Sequence, residues 1–248
     1  MRSRTRVRNN TAHLITEEAS WDADQVTRRS LVLAAVVCRG GIDTSAGQPE
    51  ADALHDRLLK WLTRLDLWKE AEPNEGKILL TPLGKLEQED VIQATWRVEG
   101  LAILAWALKQ FEFPRHDRKV DAYAAAEAVW FLSEDAEELI RAAKLRELMQ
   151  LKACAELLYA IHVRLRDFIR HRSRKEFVSW IEKSWVETLR LDVSCLIVEN
   201  DLAIDGKPIS EVKYDRVQEC ASIAYERHRA IIWLVNRYPS YSQTPVDT

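Results

Sequence analysis

Residues 94–108, ATWRVEGLAILAWAL, are apolar on every side of a helical projection instead of along one stripe, the pattern of a helix surrounded by other helices. Only Arg97 and Glu99 interrupt it. The stretch is too short for the roughly 20 residues a bilayer span requires, so it belongs in a protein core. The chain is therefore expected to be all-α, a multi-helix bundle around this central buried helix.

Toward the N-terminus, residues 21–41 read as a first helix, with acids in the opening turn and Gly40 and Gly41 as its stop. After a Gly/Ser/Thr-rich loop, Pro49 suits the first turn of a second helix carrying Leu54, Leu58, Leu62 and Leu65 at helical spacing. Residues 67–90 predict a small β-hairpin, two short runs flanking Pro73, Asn74, Glu75 and Gly76, with Thr81 capping the next helix. A winged helix-turn-helix would end this way. Its wing tip, however, carries Glu72 and Glu75, which would meet phosphates with the wrong sign.

Toward the C-terminus, the connector FEFPRHDRKVD (111–121) holds Pro114, which cannot continue a helix, and charges that mark a surface loop. His116 and Asp117 lack further ligands at metal-binding spacing, which makes them part of a solvated loop. An Ala-rich helix is expected over 121–131, an acidic one capped by Ser133 after it, and a second long core helix over 145–169. A helix over 175–189 would bury Phe177, Trp180, Ile181 and Trp185. Residues 191–209 lose the helical period and read as an extended, partly β loop, with Asp205 and Gly206 in a tight turn. The last helix spans about 210–237. Together these give a polar arm (1–20), one helical domain (21–238) whose first part (21–90) forms a hairpin-bearing subdomain, and a polar tail (239–248).

With 47% hydrophobic and 30% charged residues in 248, the chain can fold into a sizeable core. A net charge of -3 supplies no global field for nucleic acid. Four cysteines without a CxxC pair suit free thiols in a reducing compartment. The basic start MRSRTRVRNN is followed by a polar segment instead of an apolar run, unlike a signal peptide, so the expectation is a cytoplasmic protein with no membrane segment.

Polar clusters are few, and no nucleophile elbow, phosphate loop or paired-cysteine zinc site occurs, so neither metal nor cofactor is expected. Tyr159, His162, Arg166 and Arg170 share one stripe of a helix and, with Arg164, form a candidate anion site. Residues 160–175 carry a local balance of +5 and residues 178–211 one of -4, an asymmetry that would steer a charged partner. Glu199, Asp201 and Asp205, in a loop with turn chemistry, are the candidate partner contacts, and reversing Asp201 and Asp205 should spare the fold. Glu99, with no opposite charge one turn on, needs a buried partner, and Arg227 beside the apolar side of the last helix is the candidate. Gly100 would let another backbone approach closely there.

The segments WRVEGLAILAWAL (96–108), AELLYAIHVRLRD (155–167), ENDLAIDGKPI (199–209) and IAYERHRAIIWLV (223–235), in that order, resemble the bacterial family catalogued as domain of unknown function 4272. The likeness spans about residues 28–237, with its last two segments the most specific, and departs at Val163, where similar proteins tend to have Trp. It implies a cytoplasmic, mainly helical protein of the kind bacteria keep beside secreted competition toxins. Two functions follow as expectations. One is a non-enzymatic protein-binding protein, an immunity factor occluding a toxin. The other is an enzyme acting on a phosphorylated or nucleotide substrate through the His162, Arg164, Arg166 region, which a deep pocket there would favour.

Overall fold

In a computed structural model that describes residues 21–246, the helices are α1 (Ala23–Ile42), α2 (Pro49–Arg64), α3 (Pro73–Leu80), α4 (Gln88–Ala107), α5 (Ala122–Ala128), α6 (Ala136–Ala142), α7 (Leu148–His171), α8 (Lys183–Leu189), α9 (Val193–Leu196) and α10 (Tyr214–Asn236). Short strands β1 (Ile197–Val198), β2 (Asp201–Ile204) and β3 (Lys207–Pro208) form an antiparallel sheet in the order β1-β2-β3. The predicted arm, residues 1–20, lies outside the described residues.

The central helix is where its all-round apolarity requires. Every residue of α4 from Arg97 to Ala107 is buried. α1 packs along one side of it and α10 along another, and α7 lies against α10. The α1–α4 crossing is tight because Gly40 faces Ala94, whose Cβ would be 2.7 Å from an added Cβ. One hydrophobic core joins Leu31, Leu58 and Leu79 to Leu158 and Leu234, so residues 21–90 share their core with the rest of the domain. Among the described residues no helix is long and apolar enough to cross a membrane.

The expected hairpin near Pro73 is instead α3. Pro73 sits at the helix start, and Glu72 and Glu75 form a capping box, with Glu75 accepting the Glu72 N–H. Pro-Asn-Glu-Gly serves equally as a turn or as a helix N-terminus, and the capping chemistry together with burial of Ile78 and Leu79 selects the helix. The winged-helix reading falls with it.

The β structure lies in the segment expected to be extended. Ile197 pairs with Leu202 and Ala203 with Pro208. Asp205 and Gly206 both have left-handed φ (53° and 75°), as the two-residue turn between β2 and β3 requires. The helix expected over 175–189 divides into a 3-10 turn at Phe177–Trp180 and α8. The Val178 N–H donates to Asn200 O, which draws this segment onto the sheet and leaves Trp180 36% exposed. The tail is also less passive than its polarity suggests. Tyr241 is buried with its hydroxyl against Gly100, so the close approach expected at that glycine is made by a side chain. Glu72 accepts bonds from Ser240 Oγ and the Ser242 N–H, which fastens the tail to the start of α3.

Candidate functional site

Buried ion pairs tie the core helices α7 and α10 to α4, to the connector and to the sheet. The predicted Glu99–Arg227 pair is present: Nε and Nη2 of Arg227 donate to Glu99 Oε2 at 2.9 and 2.7 Å, with both side chains buried. The pair also binds backbone. Glu99 Oε1 accepts the Val120 N–H at 3.0 Å, and Arg227 donates to the carbonyls of Arg115 (2.6 Å) and Arg118 (2.7 Å). The 111–121 connector is thereby tied across α4 and α10.

That connector is not the solvated loop its charges suggested. His116 and Asp117 are both buried. A nitrogen of His116, Nε2, donates to Ala203 O at 2.6 Å, and burial pushes this imidazole's pKa down. Burial opposes ionisation of Asp117, yet hydrogen bonds from Arg115 and the Asp205 N–H prevail and hold it at about 2. Polar connectors become core when their groups are satisfied in this way.

Asp201 is the largest correction. It was expected on the surface, but it is buried at the start of β2, and Arg164 donates to its two oxygens through Nε and Nη2 at 2.7 Å each. Arg164 also donates to Ser173 O at 2.8 Å. This pair joins one predicted site to the other. Glu199 and Asp205 do remain at the surface, but Glu199 pairs with Arg174 and Asp205 with Arg216 (2.9 Å). Lys175 in turn pairs with Asp167 at 2.7 Å. Two ion pairs, Arg164–Asp201 and Arg174–Glu199, thus join the +5 block to the -4 block, whereas Asp205 pairs outside the basic block and Lys175 pairs within it.

The His162 stripe divides as well. Residues two apart lie on different sides of a helix, and Arg164 points to β2 while His162 faces α10. There, His162 Nδ1 and His228 Nδ1 are 3.2 Å apart in a buried pair flanked by Tyr159 and Tyr225. Burial, assisted by Arg166, lowers His162 to about 4; burial and its neighbour lower His228 to about 3. Arg166 is partly buried and Arg170 exposed.

Both folded pKa values lie below the ordinary histidine value near 6.5, so the unfolded chain binds more protons between about pH 4 and 6.5. Stability should be fully present above pH 6.5 and fall by several kcal/mol as the pH drops toward 4. The urea midpoint of the wild type is expected to fall steeply between pH 7 and 5, and that of His162→Phe less steeply. A midpoint flat over that interval would show that the imidazoles are not buried as neutral groups.

An open groove of about 410 Å³ runs beside this pair, walled by Ile92, Trp96, Ile169, Ala221 and Tyr225 from α4, α7 and α10. Ile92 is 48% and Tyr225 38% exposed. Gln93, Gln218, Ser222 and Glu226 also line it, and the Glu226 carboxylate is already paired, accepting from Arg97 at 3.2 Å and from Arg229 at 3.0 Å. Sequence reasoning missed this groove. The i, i+4 pairs Ile92/Trp96 and Ala221/Tyr225 were its only local signal. Among the described residues no cluster of three or more His, Cys, Asp or Glu is disposed to hold a metal.

A family model described as Domain of unknown function (DUF4272) matches residues 9–176. The segments 96–108 and 155–167 lie within that match. The segments 199–209 and 223–235 lie beyond it. No curated protein and no solved structure matches the chain.

Proposed function

We propose, from the premise that the chain belongs to this family of unknown function, that it is a non-catalytic binding protein receiving a protein partner in the groove between α4, α7 and α10. The observation that carries the reading is the exposure of Ile92 and Tyr225 on one mostly apolar groove whose charged liner, Glu226, is already paired. Such a surface gains from excluding water and demands no new partner for its charges. Ile169 leads the groove to the basic end of α7, where Arg170 and His171 are exposed. The partner therefore presents an apolar segment with an acidic flank.

In its finer form the protein is a cytoplasmic bacterial immunity factor, and the partner is a toxin. The alternative, an enzyme of phosphorylated or nucleotide substrates, has less support, because Arg164 is engaged by Asp201 and His162 by His228.

The test is calorimetric titration of the purified protein with the product of the neighbouring gene. Ile92→Arg, at an exposed position, should weaken binding about 30-fold, the effect of losing one anchor worth about 2 kcal/mol, and leave the melting temperature unchanged. Unaltered affinity for the variant would remove the groove from the interface. Phosphatase or nucleotidase activity abolished by His162→Gln would favour the enzyme instead.

A further inference from the structure

Residues 239–246 form a strap that two devices hold to the helices. One is Glu72, whose carboxylate accepts from Ser240 Oγ and from the N–H groups of Tyr241 and Ser242. The other is the Tyr241 side chain, 1% exposed, which is seated among α1, α4 and α10 as a bound ring would be. The guanidinium groups of Arg29 and Arg97 lie over its ring at 5.6 and 5.3 Å, Trp233 meets it edge-on at 5.9 Å, and its hydroxyl rests on Gly100. A Cβ at position 100 would collide with that hydroxyl, so the floor of the seat has to be glycine.

The ring suits this seat, and its polar tip does not. Buried polar atoms are expected to be hydrogen-bonded, yet four here have no hydrogen-bond partner: the Tyr241 hydroxyl, Arg29 Nε, Arg229 Nε and Glu75 Oε1. Glu226, Arg97, Arg229 and Arg29 are all coupled electrostatically to the phenol. Three guanidinium groups therefore meet two carboxylates, since Glu226 is shared by Arg97 and Arg229 while Glu75 pairs with Arg29. Glu72, the next carboxylate, is engaged by the strap itself. Two of the four unpartnered atoms are guanidinium N–H donors, and the phenol on Gly100 gives them no acceptor. A cavity of about 180 Å³ adjoins the seat, lined among others by Trp21, Arg29, Glu72, Trp233 and Tyr241. At about 30 Å³ per water it holds roughly six waters, room for one substituted ring.

We propose that this seat is a binding site for small aromatic carboxylates, occupied in cis by Tyr241, and that such a ligand and the strap exclude each other. The ligand's ring replaces that of Tyr241 beside Arg97 and Trp233, and its carboxylate accepts from the guanidinium N–H groups that the phenol leaves unpartnered. Displacing Tyr241 draws residues 240–242 off Glu72, so binding is accompanied by release of the strap.

The experiment titrates the full chain with benzoate, with benzamide, which has the same shape and no charge, and with acetate, which has the charge and no ring. Calorimetry gives the affinities, and hydrogen exchange read by mass spectrometry follows residues 239–246. Benzoate should bind about tenfold more tightly than benzamide, the factor one charge-assisted contact supplies, and acetate should not bind. Saturating benzoate should accelerate exchange in the strap, and acetate at the same concentration should not. Tyr241→Ala, which empties the seat, should bind benzoate about tenfold more tightly than the wild type does, with the same preference over benzamide; unchanged affinity in a folded variant would count against occupancy in cis. On the wild type alone, absence of benzoate binding, benzamide binding as tight as benzoate, or strap exchange that benzoate leaves unchanged would each overturn the proposal.

Discussion

Arg227→Met is expected to lower the free energy of unfolding by on the order of 3–5 kcal/mol, because it leaves the Glu99 carboxylate charged and buried with no counter-ion. Glu99→Gln should be as damaging from the other side, although its amide oxygen can still accept the Val120 N–H. The double replacement Glu99→Leu with Arg227→Met tests the origin of the effect. Removing both charges should restore part of the loss, as buried pairs are replaceable by apolar groups. It should not restore all of it. The Arg118 carbonyl and the Val120 N–H would then lose these partners, at about 1–3 kcal/mol for each one left buried, while the Arg115 carbonyl keeps the Arg118 N–H. Urea unfolding of the four proteins gives these values, and an unchanged midpoint for Glu99→Gln would mean that the pair does not hold the two helices and the connector together.

The second large effect concerns two acids of one short segment. Asp201→Asn should cost about 3 kcal/mol, since Arg164 would keep its charge in the core with an amide in place of its bidentate carboxylate and only Asp167, at 3.3 Å from Nη1, as counter-ion. Asp201→Lys, two buried cations in contact, should not fold. Asp205→Asn, which alters an exposed pair with Arg216 and keeps a residue tolerant of left-handed φ, should cost less than about 1 kcal/mol. Comparable midpoints for Asp201→Asn and Asp205→Asn would place Asp201 at the surface and refute the burial described above. The contrast also reverses the sequence-based expectation that charge reversal at both positions would spare the fold.

The long helices were legible because their evidence is local. A helix buried on all sides must be apolar on all sides, as residues 94–108 are, and α2, α7 and α10 announce one buried face through the spacing of leucines and isoleucines. Even Glu99–Arg227 could be inferred, since a carboxylate in such a helix requires a cation on another core helix and Arg227 was positioned to supply it. Where two local structures use the same residues, as Pro73-Asn-Glu-Gly does, composition left the choice open, and the capping box with the burial behind it made the choice.

The state of the remaining charged groups was decided by the tertiary structure alone. A charge block in sequence looks like a solvated face, and 160–175 and 178–211 read as two opposed fields. Folding sets them against each other, so that Arg164 finds Asp201 and Arg174 finds Glu199. Likewise His116 and Asp117 become core only because β2 and the turn after it arrive, the Ala203 carbonyl accepting from His116 and the Asp205 N–H donating to Asp117. The groove beside Tyr225 exists only where three helices diverge. Periodicity records which way a side chain faces relative to its own element, but whether a polar group meets water or a counter-charge depends on elements far away in the chain, and desolvation energy is set at that meeting.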